Sequence, residues 1–307
     1  MKSFQGRTAV ITGAASGFGL EVSRIAARLG MNVSMADVQP DALQAAADEV
    51  RALAAPLGGG VLAERVDVRH SAEVERLREA TVAAFGVPHF LFNNAGVGAG
   101  GLIWEHSEKD WEWVVGVNLM GVAHGIRLFT PLMLEAAARD PGYEGHIVNT
   151  ASMAGLLNAP NMGVYNVTKH AVVSLSETLY QDLSLVTEQV RASVLCPFFV
   201  PTGIHRSHRN RPDELRDAAG RPTRSQLIAQ AMSDKAVTSG KVTAAEVAQA
   251  VFDAMREDRF YIYSHPKALA SVQVRLEDVM LGRNPTDPFA AKPEIGAELR
   301  RALRSDV

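Results

Sequence analysis

Short apolar runs that alternate with helix-length segments restrict the possible folds of this chain most strongly. Runs rich in β-branched residues, such as TAVIT at 8–12 and NVSMA at 32–36, are each followed by a segment with helical periodicity, and the alternation continues as far as FYIY at 260–263. Strands that alternate with helices of this length indicate βαβ units and a parallel sheet covered on both faces. We therefore predict an α/β fold, a doubly wound parallel sheet of about seven strands flanked by helices.

The length and continuity of the chain predict one domain with an appended segment. The chain has 307 residues, 47% of them hydrophobic, which can supply the core of one large domain. Because no internal repeat or linker divides it, we predict a single domain over 1–263. The polar, Arg-rich segment 203–240 breaks the alternation after the sixth strand, where we expect a substrate-binding lid region. Residues 264–307 form a C-terminal extension, expected to pack on the domain or at an oligomer interface.

The charge balance and the single cysteine exclude several classes of protein. The 31 basic and 34 acidic residues are spread along the chain, so we expect a small-molecule partner and neither nucleic acid nor membrane. Cys196 is the single cysteine, which excludes internal disulfides and cysteine-based metal clusters, and we interpret it as a small buried apolar residue. The sequence has no signal pattern and no uninterrupted run of ~18 apolar residues, which predicts a cytoplasmic protein.

A glycine-rich turn, TGAASGFG at 12–19, joins the first strand to the first helix. At such a turn free N–H groups and the positive end of the helix face an anion, and glycines let the backbone approach it closely. This context predicts the phosphate site of a dinucleotide. A plain glycine-rich loop before a helix is the alternative.

Asp37 ends the second strand, about where an acidic residue binds the adenosine ribose of a dinucleotide. An N-terminal helix cap is its alternative role. An anionic Asp37 repels a 2′-phosphate, and neither Ser16 nor Val38 supplies a compensating positive charge. The sequence therefore favours NAD over NADP as the cofactor.

The motif NNAG at 93–96 follows the fourth strand. Ligands bind at the carboxyl ends of parallel strands, so Asn93, Asn94, Ala95 and Gly96 are candidates to line the nicotinamide half of the cofactor site. A simple turn with Asn in a left-handed conformation is the competing explanation.

Tyr165 and Lys169 lie four residues apart at the start of a predicted helix and share one face, and Ser152 precedes them at the end of the fifth strand. A tyrosine hydroxyl titrates near ~10, so acid or base chemistry near neutrality requires a nearby cation; a shift of about three units needs roughly 4 kcal/mol. Lys169 and an oxidised nicotinamide ring are candidates for that cation. Taken alone, Tyr165 and Lys169 indicate an ordinary contact between two residues on a helix surface. Ser152 alone indicates a hydrogen-bonding residue at the end of a strand.

In combination these motifs resemble the short-chain dehydrogenase/reductase family over about residues 5–263, which implies a Rossmann-type fold. The family turn T-G-x-x-x-G-x-G is matched by Thr12, Gly13, Gly17 and Gly19, and VDV at 66–68 matches the segment whose acidic residue lies beside the adenine. The resemblance implies that the following residues bind the cofactor: Thr12, Gly13, Ser16, Gly17, Phe18, Gly19, Asp37, Asp67, Val68, Asn94, Ala95, Gly96, Tyr165, Lys169, Pro197, Val200 and Thr202.

The same resemblance implies a role for each catalytic residue. Ser152 hydrogen-bonds the substrate oxygen, Tyr165 exchanges its proton, and Lys169 binds the nicotinamide ribose and lowers the tyrosine pKa. Asn118, in GVNLMG, matches the asparagine that holds a water in the proton relay. Without that context Asn118 is a mid-helix residue that bonds its own backbone.

The chain departs from the family pattern P-G-x-V-x-T after the sixth strand, where its sequence is CPFFVPT. Pro197, Val200 and Thr202 are retained, but Phe198 replaces the glycine, and we expect its ring to shape the substrate pocket. Apolar residues near the predicted site favour a hydrophobic secondary alcohol or ketone. The predicted wall comprises Met153, Leu157, Met162, Phe198 and Phe199, with Leu156 and Trp104 as further candidates.

The lid region carries a group of cations, His205, Arg206, His208, Arg209 and Arg211. They are candidates to hold an anionic group of the substrate, although we favour a solvated basic loop. His205 and His208 have no companion ligands at a recognised spacing, so we predict no metal site.

The resemblance implies an NAD-dependent oxidoreductase that acts on CH–OH or C=O groups and assembles as a homodimer or homotetramer. A protein that senses NAD without turning it over is one alternative, although it has no need of the full Asn, Ser, Tyr and Lys set. An NAD-dependent epimerase or dehydratase is another, against which the glycine spacing and the absence of a large C-terminal domain argue.

Overall fold

A seven-stranded sheet runs through the part of the chain that the structure, a computed structural model, describes: residues 1–216 and 221–304. Its strands are β1 (Thr8–Thr12), β2 (Asn32–Asp37), β3 (Val61–Arg65), β4 (Phe90–Asn93), β5 (Gly145–Thr150), β6 (Val190–Cys196) and β7 (Tyr261–Tyr263). All pair in parallel, in the order β3-β2-β1-β4-β5-β6-β7. The predicted fold is confirmed.

The strand order reverses between β1 and β4, and this reversal positions the site. From β1 the chain continues outward to β2 and β3 and then returns to pair β4 on the other side of β1. The connections after β1 and β4 therefore leave the sheet in opposite directions, and a crevice opens at the carboxyl ends of these two strands.

Ten α-helices are described. They are α1 (Gly17–Arg28), α2 (Pro40–Ala54), α3 (Ser71–Phe85), α4 (Glu108–Val115), α5 (Gly121–Arg139), α6 (Gly163–Val186), α7 (Arg224–Thr238), α8 (Ala244–Glu257), α9 (Leu269–Met280) and α10 (Pro293–Arg304). One face of the sheet packs against α1, α2 and α8, and the other against α3 to α6. In β1, Ile11 joins the first core and Val10 the second, because successive strand side chains point to opposite faces.

Helices α4 and α5 are continuous through a π-helical turn at Gly116–Met120. The combined run Glu108–Arg139 is the one helix among the described residues with the length and apolar content to cross a membrane, but half of its apolar window is buried within the protein. It contributes Val114, Leu128 and Met133 to the core. Its apolar character is thereby accounted for by packing against the sheet.

The lid region contains more helix than the sequence indicated. The sequence of residues 203–240 breaks the alternation of strands and helices, yet α7 and a 3₁₀ segment, Gly203–Asn210, lie within them. A capping box begins α7: the Thr223 side chain accepts from the Gln226 backbone while the Gln226 side chain accepts from the Thr223 backbone. Residues 217–220 of the lid region lie outside the described residues.

The first α-helix of the C-terminal extension is α9. Helix α9 packs on the domain through Val272, which lies in a buried cluster with Met153 and Cys196. Leu299 of α10 is also buried. Cys196 is a buried free thiol, in agreement with its interpretation as a core residue.

Candidate active site

One cleft of about 1550 Å³ lies at the carboxyl edge of the sheet. It exceeds the roughly 300–1,000 Å³ typical of a site for one small ligand, so it has room for a cofactor and a substrate together. Predicted site residues on its lining are Gly13, Ser16, Gly17, Phe18, Asp37, Asp67, Val68, Asn94, Ala95, Gly96, Ser152, Met153, Leu157, Met162, Tyr165, Lys169, Pro197, Phe198, Phe199, Val200 and Thr202. Thr12, Gly19 and Asn118 are buried behind that lining.

The glycine-rich turn is too tightly packed for larger residues. Gly13 and Gly17 have φ of +67° and +55°, and a Cβ on Gly19 would lie 2.1 Å from the Gly13 carbonyl oxygen. In α1, which the structure describes completely, Ser16 at the N-cap makes no side-chain capping bond and the first turn carries no acidic residue. The N–H groups and positive end of the helix thus fit the pyrophosphate of a dinucleotide.

Thr12 and Asn94 fasten the loop after β4 to the end of β1. Thr12 Oγ1 accepts from the backbone nitrogens of Asn94 and Ala95 at 2.9 and 3.1 Å, and Asn94 Nδ2 donates to the Thr12 carbonyl at 3.0 Å. The expectation that Asn93 lines the site is wrong. Its side chain is buried in the core, where Nδ2 donates to Asn149 at 2.9 Å, because it faces α5: a Cβ on Gly125 of that helix would lie 2.0 Å from Asn93 Oδ1.

Asp37 lies at the adenosine end of the cleft with its carboxylate fixed by backbone groups. It accepts from Ala15 N at 3.1 Å and from Gln39 N at 3.0 Å. Burial raises the pKa of Asp37, although these hydrogen bonds and the nearby positive charge of Arg209 oppose the rise. The sequence offered no sign of Arg209 here, because it comes from the lid region, far along the chain.

Asp67 is held by Arg69, whose Nη2 lies 2.7 Å from Asp67 Oδ2. Burial opposes ionisation of Asp67, but the bonds from Arg69 outweigh it and hold its pKa below the usual range. The adjacent Val68 is buried and leaves no room for a side chain at Gly121, since a Cβ there would lie 2.7 Å from Val68 Cγ2. This corner of the cleft is therefore built rigidly.

Ser152, Tyr165 and Lys169 meet where β5 ends and α6 begins. Ser152 Oγ accepts from Ala154 N at 3.1 Å and donates to the Pro197 carbonyl at 3.3 Å. Lys169 is 3% exposed, and its Nζ donates to the Thr150 carbonyl at 2.9 Å and lies 5.7 Å from the centre of the Tyr165 ring.

Burial dominates the titration of both groups. It raises the pKa of Tyr165, against a hydrogen bond with Ser152, and it lowers the pKa of Lys169 to about 8. The sequence predicted a lowered tyrosine pKa from Lys169 together with an oxidised nicotinamide. The protein's own groups do not produce that shift, because desolvation of the phenolate outweighs them.

Asn118 lies in the π-helical turn and is fully buried. Its Oδ1 accepts from Val97 N at 2.8 Å, and its Nδ2 donates to the Val97 carbonyl at 3.0 Å and to Thr168 Oγ1 at 3.2 Å. Both side-chain amide hydrogens are therefore used in joining the loop after β4 to α6. π-Helical turns of this kind often occur at functional sites.

The predicted apolar wall is present in part. Phe198, 42% exposed, packs against Phe199 with ring centres 4.5 Å apart, and its backbone nitrogen donates to Ser264 Oγ at 2.9 Å. Trp104 is 76% exposed and Leu156 packs on a core cluster, so within the described residues neither lines the cleft. Residues of α7, in the predicted lid region, also line the cleft, and residues from α9 and the loop at 285–291 complete the far wall, which no local sequence signal indicated.

Residues 203–211, which we call the strap, are fastened to both sides of the cleft. On the side of the loop after β4, Ser207 Oγ accepts from Gly98 N at 2.8 Å and donates to the Gly98 carbonyl at 3.2 Å. On the adenosine side, Gln39 Nε2 donates to Asn210 Oδ1 at 2.5 Å. The strap therefore spans the crevice in which a dinucleotide would lie.

Arg211, a candidate anion ligand, is instead paired with Asp110 and lies over the Trp113 ring at 5.4 Å. Arg206 is absent from the described cleft lining, whereas His205 and His208 contribute to it. Among the described residues no group of His, Cys, Asp and Glu is arranged to hold a metal ion.

The fold and the cleft define a class of protein, and comparison with known proteins identifies it. The sequence profile of the short chain dehydrogenase family matches residues 7–213, and the chain belongs to this family. It is accordingly an oxidoreductase with a nicotinamide cofactor site.

Individual relatives extend the match along nearly the whole chain. A short chain dehydrogenase/reductase from Burkholderia phymatum, solved in complex with NAD, is 53% identical with a TM-score of 0.89, covering 94% of this chain and 99% of that one. The CLA biosynthesis dehydrogenase/reductase of Lactiplantibacillus plantarum is 31% identical over 282 residues, 91% of this chain and 95% of its own. The 1-deoxy-11-beta-hydroxypentalenate dehydrogenase of Streptomyces avermitilis is 33% identical over 276 residues, 89% and 88% of the two chains.

Proposed function

We propose that the protein transfers a hydride between a hydrophobic secondary alcohol or ketone and NAD, with Tyr165 as general acid and base. The observation that carries this proposal is the convergence of Ser152, Tyr165 and Lys169 on the same cleft as the glycine-rich turn. Bound in this cleft, the nicotinamide would supply the hydride acceptor or donor. The name of the Streptomyces relative, a hydroxypentalenate dehydrogenase, supports chemistry at a hydroxyl-bearing carbon.

The chain's own residues then handle the oxygen and its proton. Ser152 Oγ reorients from the Pro197 carbonyl, a long bond of 3.3 Å, to donate to the substrate oxygen. The Tyr165 hydroxyl gives its proton to that oxygen when a ketone is reduced and takes it back when an alcohol is oxidised. Lys169, fixed by the Thr150 carbonyl, places positive charge beside the ring and favours the phenolate.

Asn118 serves as a positioning residue in this proposal. Its side chain joins the loop after β4 to Thr168, the residue that precedes Lys169. Because both of its amide hydrogens are engaged, the Asn118 side chain has no N–H left to donate to a relay water.

The preference for NAD over NADP rests on Asp37, whose carboxylate lies at the end of β2 where a 2′-phosphate would meet it. The Burkholderia relative was solved with NAD, which supports this choice. Arg209 acts in the opposite direction, since it brings positive charge to the same end of the cleft. Fluorescence titration with NADH and NADPH compares the two affinities directly.

A Tyr165→Phe variant tests the mechanism. We expect turnover of secondary alcohols, followed at the nicotinamide absorbance band, to fall by at least ~10²-fold, because the variant lacks the hydroxyl that exchanges the proton. NADH binding stays unchanged. Tyr180→Phe is the matched control, since it removes a hydroxyl from a partly exposed position on the same helix. Near-normal turnover by Tyr165→Phe contradicts the proposed role.

The wild-type enzyme distinguishes the rival functions. A sensor gives no absorbance change with any member of a chemically broad panel of alcohols and ketones, although NADH binds. An epimerase or dehydratase converts substrate without net change in the nicotinamide band. A homodimer or homotetramer and a cytoplasmic location stay predictions, the first open to analytical ultracentrifugation.

A further inference from the structure

Helix α9 of the C-terminal extension presents one face to the cleft. The residues of this helix that line it are Ser271, Val274, Arg275, Asp278 and Val279. Their spacing of three or four residues is that of a single helix face. The extension therefore forms part of the cleft wall.

Arg275 on this face is half-buried, and among the described residues its guanidinium has no hydrogen-bond or ion-pair partner. The acidic residues that follow it on the helix are engaged elsewhere. Asp278 accepts from Thr286 N at 2.8 Å and pairs with Arg283 at 3.1 Å, and Glu277 lies 3.8 Å from the same arginine. No carboxylate on this helix thus neutralises Arg275.

The other described arginines and lysines of the cleft are already bonded or are open to solvent. Arg221 is exposed. The bonded cations and their partners are Lys169 with the Thr150 carbonyl, Arg69 with Asp67, Arg211 with Asp110, Arg216 with Asp213, Arg283 with Asp278, and Arg209 with the carbonyls of Gly203 and Arg206. Arg275 differs from them because its guanidinium is half-buried and has no bonding partner among the described residues.

The surroundings of Arg275 favour an anion that arrives with an apolar body. Val274 and Val279 lie on the same cleft-facing side of the helix, and Phe289 is another apolar residue of the cleft lining. One turn earlier, Val272 belongs to the buried cluster that contains Met153, the residue after Ser152. The planar fork of a half-buried guanidinium can bind a carboxylate with two charge-assisted hydrogen bonds.

We propose that Arg275 binds the carboxylate of the substrate, and that the substrate class is a hydrophobic hydroxy or keto acid. The hydroxyl or carbonyl lies at Tyr165, the apolar chain lies along the wall formed by the extension, and the carboxylate ends at Arg275. The assignment of the hydroxyl end rests on the proposed function. The carboxylate end does not, so the two are tested separately.

Binding without turnover tests the carboxylate end. Calorimetric titration of the NADH-saturated enzyme with decanoate measures the affinity for the acid, with methyl decanoate as the uncharged probe and decyl phosphate as a second anion. We expect Arg275→Gln to weaken decanoate binding about tenfold or more and to leave the ester unchanged. Arg301→Gln is the matched control, because it removes the same charge from an exposed position on α10.

Turnover tests the complete substrate. For 9-hydroxydecanoic acid we expect Arg275→Gln to raise KM about tenfold with little change in kcat, whereas for its methyl ester neither constant moves. Arg275→Lys keeps the charge and recovers part of the loss. Across (ω−1)-hydroxy acids of different length, the wild type shows an optimum in kcat/KM that Arg275→Gln lacks, because one fixed cation selects one chain length.

The outcomes separate the two proposals. Equal decanoate affinity in the wild type, Arg275→Gln and Arg301→Gln, or no decanoate binding at all, overturns the assignment of Arg275. Loss confined to decyl phosphate overturns the choice of a carboxylate. If decanoate binding depends on Arg275 but the wild type oxidises no alcohol, the proposed function fails while the anion site stands.

Discussion

Replacing Gly19 by alanine tests the packing on which the dinucleotide site depends. The new Cβ would lie 2.1 Å from the Gly13 oxygen, 2.7 Å from the Gly13 carbonyl carbon and 2.9 Å from Asn94 Nδ2. Carbon and oxygen atoms in close contact sit at about 3.3–3.6 Å, so the turn must open by about 1 Å. Gly13 cannot yield easily, because it lies against the Ala95 backbone.

The expected cost follows from this overlap. Overpacking of a fixed site destabilises a protein by roughly 1–3 kcal/mol, and we expect Gly19→Ala near the upper end. For a chain of this size that lowers Tm by roughly 4–6 °C in a thermal melt. NADH at about 100 times its Kd stabilises the wild type by about 2.7 kcal/mol, and we expect this gain to vanish in the variant because the N–H groups of the turn are displaced.

Gly58→Ala supplies the control for backbone strain alone. Gly58 has φ of +75°, and no atom lies within 4 Å of the point that a Cβ would occupy, so alanine there costs about 1 kcal/mol without overlap. Gly58 is absent from the described cleft lining, and the NADH-induced rise in Tm is expected to persist. A Gly19→Ala protein that melts like the wild type and keeps its NADH response refutes the packing argument.

Two further predictions concern the strap and the buried lysine. Asn210→Ala removes the hydrogen bond from Gln39, which is worth about 0.5–1.5 kcal/mol. We therefore expect NADH to dissociate about 2–10 times faster in stopped-flow fluorescence. An unchanged dissociation rate shows that the strap does not retain the cofactor. The pKa of Lys169 is about 8 in the folded protein, whereas its ordinary value is 10.5. Between these two pH values the unfolded chain keeps the proton and the folded protein loses it. We therefore expect the free energy of unfolding of the wild type, relative to that of Lys169→Met, to rise by on the order of 3 kcal/mol between about pH 8 and 10.5. Below pH 8 the difference stays constant. A difference in Tm that does not change across this pH range contradicts the buried charge.

Local patterns explain why the sheet and the glycine-rich turn could be predicted from the sequence. Strand periodicity and the strand-turn-helix context of Gly13 to Gly19 involve neighbours in the chain, and such patterns survive folding unchanged. The helix α7 also had a local signal, since Thr223 and Gln226 form a capping box at its start. Its polar composition obscured that signal, because only Ser225 and Val237 of this helix are buried.

Partner choice could not be predicted, because it joins distant parts of the chain. Arg209 and Arg211 are equivalent cations in the sequence. Folding places the first near Asp37 and pairs the second with Asp110, which is 101 residues away. Nothing in the sequence indicated that Arg275 lacks a partner, because this depends on which groups Asp278 binds in the folded protein.

Desolvation also sets the resting protonation state of Tyr165 and Lys169, the pair to which the proposed mechanism assigns the proton transfer. Desolvation raises the pKa of Tyr165 and lowers that of Lys169 to about 8, so at neutral pH the tyrosine is a phenol while the lysine is still mostly charged. A phenol beside an ammonium group is ready to donate a proton to a ketone oxygen. Accepting a proton from an alcohol requires a further stabilisation of the phenolate that the chain alone does not provide. In the proposed mechanism, the protein's own groups thus leave Tyr165 in its proton-donating form at neutral pH, and the reverse step depends on positive charge brought by the bound cofactor or on a more alkaline solution.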